Sequence, residues 1–112
     1  MLYHMSKEKL QQIQQEIQRI KEELMGIGEM RPGSLTLQYK DPKEKKGPYY
    51  QISYTQKMRS RTQYVRSDWV EEIHHQIDVY RRFKKLIERW IELAIEHSQL
   101  KMKHQKHGES DK

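Results

Sequence analysis

Cysteine is absent from the 112 residues, which excludes disulfides and thiolate metal sites and fits a reducing compartment. No apolar run approaches the ~20 residues of a membrane span, and the opening MLYHMSKEK has no signal-peptide core. The expectation is a cytoplasmic protein without a membrane partner. The five glycines form no phosphate-binding fingerprint, and no nucleophile elbow or clustered carboxylate set occurs. The chain is therefore expected to be no enzyme and to need no cofactor. Apolar residues are also scarce, at 34%, matched by 34% charged residues. Extended helices with wet faces fit that balance better than a thick globule.

What the chain does have is positive charge, unevenly placed. The net charge is +6. Residues 40–66 hold Lys40, Lys43, Lys45, Lys46, Lys57, Arg59, Arg61 and Arg66 against Asp41 and Glu44, so this one segment equals the whole excess. Clustered positive charge points to a polyanion, most often nucleic acid, although a merely soluble basic region reads the same way from charge alone.

Periodicity organises the rest. Leu10, Ile13, Ile17, Ile20 and Leu24 are spaced 3-4-3-4, a heptad seam that predicts a helix over 6–24 and suits a partner helix. That partner lies either in this chain or in a second copy. The glycines and proline of GIGEMRPGS end the helix. Alternation in SLTLQY predicts a strand, the polar KDPKEKKGP a loop, and YYQISYT and RSRTQYV an antiparallel hairpin.

A two-residue loop at Gln56-Lys57 would set Ile52 opposite Arg61, mixing core and charge. A three-residue loop, Gln56 to Met58, pairs Tyr54 with Ser60, Ile52 with Thr62 and Tyr50 with Tyr64, and leaves Gln51, Ser53, Thr55, Arg59, Arg61 and Gln63 on one polar face. Because a one-residue slip inverts every side chain, the pattern favours that second register. Ser67 and Asp68 then offer caps for a long helix running to about Leu100, roughly 50 Å. Its far half, with Ile87, Trp90, Ile91 and Ala94, lies beyond the reach of a small sheet and needs the first helix as cover, from this chain or another.

The expected fold is α+β: an N-terminal helix, a three-stranded antiparallel β-meander and a long C-terminal helix. Its segments are a coiled-coil-like helix over 1–27, sheet plus long helix over 28–100, and a disordered basic tail over 101–112. A homodimer joined through helices is expected.

Arg59, Arg61 and Gln63, at period two, project from one strand face. Arginine and glutamine make bidentate contacts to guanine and adenine edges, and a β-sheet can enter the major groove. Gln51 and Ser53 would lie beside them, with Lys57, Arg66, Lys45 and Lys46 as flanking phosphate contacts. The competing reading is an ordinary solvated sheet face. Tyr49, Tyr50, Tyr54 and Tyr64 can stack on unpaired bases, but three of them fall on the dry face of this register and read as core. His104 and His107 have metal-ligand spacing without an evident third ligand, so no metal site is expected.

MRPGSLTLQY, GPYYQISYTQKMRSRTQYV and VEEIHHQIDVYRRFKKLIERWIELA resemble a family of short bacterial and archaeal proteins often encoded near transposase genes, over roughly residues 30–100. The resemblance implies association with mobile DNA, with a transposase or another protein as partner. Members commonly carry a cysteine-rich insert before the Gly-Pro-Tyr-Tyr motif. KDPKEKK stands there instead, so a metal knuckle is lacking. Three strands followed by a helix is also similar in architecture to the arm-type DNA-binding domain of phage integrases. The resemblance implies no settled activity; with the cationic strand face, the expected function is a non-enzymatic accessory protein reading duplex DNA with its sheet. The alternative is a helix-mediated interaction adaptor or antitoxin-like subunit.

Overall fold

A computed structural model describes residues 2–108, with side chains over 7–104. The order is α1 (Leu2–Met25), β1 (Ser34–Asp41), β2 (Lys46–Gln56), β3 (Arg59–Val65) and α2 (Val70–Gly108), a short 3-10 turn at Ser67–Trp69 leading into α2. The expected α+β architecture is present, and the sheet is an antiparallel meander in the order β1-β2-β3. Among the described residues no helix is long and apolar enough to cross a membrane. The chain forms two compact units, one of Met1–Ile27 with Phe83–Lys112, the other Gly28–Arg82.

In the first unit α1 lies antiparallel to the far part of α2, as the pairs Lys9–Glu96 and Glu16–Arg89 require. The partner of α1 is thus in its own chain. Ile13, Ile20 and Leu93 are buried, with Ile17, Leu24, Leu86, Trp90 and Leu100 packed against them; Leu10 is half-buried. The α1 seam is the expected one, but the matching face of α2 is not. Ile91 is exposed and Ile87 only half-buried; of the expected set, only Trp90 joins the core cluster. Leu86, Trp90, Leu93, His97 and Leu100 run 4-3-4-3, the heptad mate of the α1 seam. The expected stripe lies next to this seam on the same helix.

Arg89 grips Glu16 with two hydrogen bonds, Nε to Oε2 at 2.7 Å and Nη2 to Oε1 at 3.3 Å, and also reaches Glu92 at 3.2 Å. The hydrogen bond from Arg89 is the main reason the Glu16 carboxyl is held below its ordinary range. Lys21 sits over the Trp90 ring at 5.4 Å. The helix continues through Lys101 to Gly108, where a disordered tail is expected from residue 101; residues 109–112 of that tail lie outside the described residues.

In the second unit the core is Ile52, Val65 and Ile77, with Leu35, Tyr50, Val70 and Ile73 against it. Register explains it: Leu35 faces Ile52 and Tyr50 faces Val65 across the strands, so one sheet face receives the first turns of α2. Gly33, at φ +144°, fits only because it has no side chain, since a Cβ there would lie 2.7 Å from the Ile52 side chain. The loop before β1 is tied to α2 by the Arg31 N–H donating to the Gln76 carbonyl at 3.2 Å. Asp68, expected as a cap, instead accepts from the Arg66 guanidinium at 3.0 Å.

Candidate nucleic-acid interface

The β2–β3 turn decides where the arginines go. Gln56 pairs with Arg59, so the loop is the two residues Lys57-Met58, at φ 51° and 65°. Both are left-handed, as in the type I′ turns that match strand twist and usually take Asn-Gly. Neither of the two registers that the sequence pattern suggests occurs. In the observed one Tyr54 faces Arg61, Ile52 faces Gln63, and Ser53 faces Thr62.

The expected single polar face is therefore divided. Arg59, Arg61 and Gln63 share the face of Ile52 and Val65, the α2 side, while Gln51, Ser53 and Thr55 lie on the outer face with Ser60, Thr62 and Tyr64. The slip costs little because β3 is an edge strand on which only Val65 is buried. Arg61 and Gln63 occupy the core side of the pleat and still reach solvent. The selection of register by buried face has no force where α2 does not cover the strand.

On that side Arg31 stacks over Tyr54 at 5.0 Å, and Arg61 is the cross-strand neighbour of the same tyrosine. The Arg31 Nε is buried without a hydrogen-bond partner. Nothing in the sequence pattern singles out Arg31, which stands alone in a loop. Only the return of the chain against β2 brings it to Tyr54.

The remaining basic candidates fall into two groups. Lys46 is paired with Glu44 at 2.9 Å and Arg66 with Asp68 at 3.0 Å. Lys40, Lys43, Lys45, Lys57, Arg59 and Arg61 are all exposed and make no ion pair among the described residues. Lys45 is left-handed, at φ 54°, in the β1–β2 turn. That turn is closed by the Glu44 N–H donating to Asp41 Oδ1 at 3.3 Å. Cations are thus presented at both hairpin turns and along β3.

The outer face is different in kind. Its cross-strand sets are Ser34–Ser53–Thr62, Thr36–Gln51–Tyr64, Gln38–Tyr49 and Thr55–Ser60, with no charged side chain among them. Tyr49 and Tyr64 are diagonal neighbours whose rings stand 6.3 Å apart at 42°, and Tyr64 is 63% exposed. They line a cleft of about 480 Å³ with Lys40 and Pro48. Of the four tyrosines considered for stacking, Tyr50 and Tyr54 lie on the α2 side, and Tyr49 and Tyr64 form this outer pair. Among the described residues no group of three His, Asp or Glu side chains is placed to hold a metal ion; the His107 side chain lies outside them.

No curated protein and no solved structure matches the chain. Residues 10–75, which take in most of α1, the whole sheet and the start of α2, match the family model described as Domain of unknown function (DUF6788). That is more than half of the sequence, and the chain belongs to this family.

Proposed function

We propose that the protein is a non-enzymatic, cytoplasmic nucleic-acid-binding accessory protein. The observation that carries this is the set of six exposed cations without acidic partners, Lys40, Lys43, Lys45, Lys57, Arg59 and Arg61, gathered on the sheet and its two turns. Phosphate contacts by such side chains release counterions and supply most of the affinity of basic proteins for nucleic acid. Contact is by the hairpin turns and the β3 edge, since the arginines and the outer-face polar residues point apart. A role beside a mobile element, with a transposase as protein partner, rests on the resemblance over residues 30–100.

The test is retention on heparin and on duplex DNA as salt is raised. Arg59→Ala with Arg61→Ala should weaken binding and lower the salt slope by about one for each phosphate no longer neutralised. A base-reading arginine would instead cost roughly 1–3 kcal/mol at one base position. Unaltered binding by the double variant would remove β3 from the interface.

One observation favours the second reading, a helix-mediated adaptor or antitoxin-like subunit, and bears equally on the homodimer expected of the first. Ile91, Ile95 and Met102 leave an exposed apolar stripe on α2, each more than half accessible. Sedimentation of the parent against Ile91→Glu separates a dimer from a monomer.

A further inference from the structure

The outer face of the sheet is uncharged apart from Lys40 at one end, and it holds the most accessible tyrosine of the strands. Tyr64 is 63% exposed and forms with Tyr49 a tilted pair at 6.3 Å. Burial does not account for a ring so placed on an edge strand, because exposing an aromatic surface forgoes the packing that usually retains it. The pair borders a cleft of about 480 Å³ whose other walls are Lys40 and Pro48. Gly47 lets Lys40 lie close, since a Cβ at residue 47 would meet the Lys40 side chain at 3.0–3.3 Å. A cation without an acidic partner thus lines the aromatic cleft.

We infer that Tyr49, Tyr64 and Lys40 form a stacking subsite for an unpaired base of single-stranded nucleic acid, the ring faces taking the base and Lys40 the adjoining phosphate. This deepens the nucleic-acid reading above and rests on it. Stacking needs a flat, accessible π-face, which every base offers, together with a cation to follow the backbone. Beside the tyrosines the outer face presents amides and hydroxyls. Gln38 donates to the Thr36 hydroxyl at 3.2 Å and Gln51 lies next to Tyr64 in the register. These groups hydrogen-bond the edges of splayed bases, the mode by which sheets recognise single strands. A duplex keeps its π-faces stacked internally and gains nothing from the pair, so the subsite distinguishes single from double strands.

The experiment is fluorescence anisotropy with a labelled oligothymidylate of roughly 10 nucleotides and with a duplex of equal length, at matched salt. The parent is expected to bind the single strand more tightly. Tyr64→Leu should weaken that binding roughly 5- to 150-fold, as loss of one stacked base does, while Tyr64→Phe keeps it. Lys40→Ala should weaken it and reduce the salt slope. Heparin retention and melting of Tyr64→Leu should match the parent, because the ring is largely outside the core. Parental affinity of Tyr64→Leu for the oligothymidylate, or tighter binding of the duplex, overturns the stacking subsite and leaves the cationic turns as the whole interface. Absence of binding to heparin and both oligonucleotides overturns the nucleic-acid reading together with the subsite.

Discussion

The helical unit and the sheet unit differ in where their cations find partners. Between α1 and α2, Lys9 meets Glu96, Arg89 clasps Glu16 with two hydrogen bonds, and Lys21 covers Trp90. These three cations are partnered across an apolar seam and help set how the two helices align. In the sheet unit the reverse holds for Lys40, Lys43, Lys45, Lys57, Arg59 and Arg61, which stand in solvent without acidic partners. The formal excess of +6 is thus a poor guide by itself. What matters for a polyanion is where cations without a partner gather, and these six lie on the sheet and its hairpin turns, where projecting side chains meet few neighbours.

Substitutions that separate core from surface in each unit can break or sharpen this contrast. The largest effect is expected in the helical seam. Leu93→Ala should lower the unfolding free energy by about 2–5 kcal/mol, whereas Ile91→Ala, one stripe away, should change it by less than about 0.5 kcal/mol. Denaturant unfolding of the two variants measures this, and equal losses would place the seam elsewhere.

In the sheet unit Gly33→Ala should cost about 1–3 kcal/mol, because it joins a strained φ to a clash with the buried Ile52. A thermal melt matching the parent would mean that the loop before β1 does not press on the core.

A gain of about 1 kcal/mol is expected from Lys57→Asn with Met58→Gly, which places residues tolerant of left-handed φ at the turn. Met58 is 97% exposed, so no packing is lost. Failure to stabilise would argue against this turn and revive the question of register.

The smallest effect is the pH dependence of the interhelical ion pair. Arg89 lowers the Glu16 pKa in the folded state, so the pair stabilises above the carboxyl's unfolded pKa, and that contribution is lost as pH falls through the folded value. The stability difference between parent and Glu16→Gln should therefore shrink on acidification. Arg61→Ala, which has no partner to lose, should leave the pH profile of stability unchanged. A pH-dependent loss in Arg61→Ala would end the contrast between the units.

Much of this organisation is legible along the chain. The 3-4-3-4 run from Leu10 to Leu24 announces a seam because helical period and apolar spacing coincide over several turns. Alternation in SLTLQY and YYQISYT, with polar breaks between, is sufficient for the strands. On α2 the sequence is ambiguous. Ile87, Ile91 and Ala94 make one plausible stripe, and Leu86, Trp90, Leu93 and Leu100 another, and hydropathy does not rank them. Only the docking of α1 chooses.

The same division holds for the site. Sequence alone determined the helix–meander–helix order and the concentration of positive charge in residues 40–66, because both depend on local period and composition. The tertiary structure decided the face on which each side chain emerges. The two-residue turn at Lys57-Met58 moves Arg59 and Arg61 to the α2 side and leaves Tyr64 outside beside Tyr49. In a strand every side chain changes face with a one-residue shift. That choice belongs to the turn geometry and to how far α2 covers the edge, neither of which a local pattern encodes.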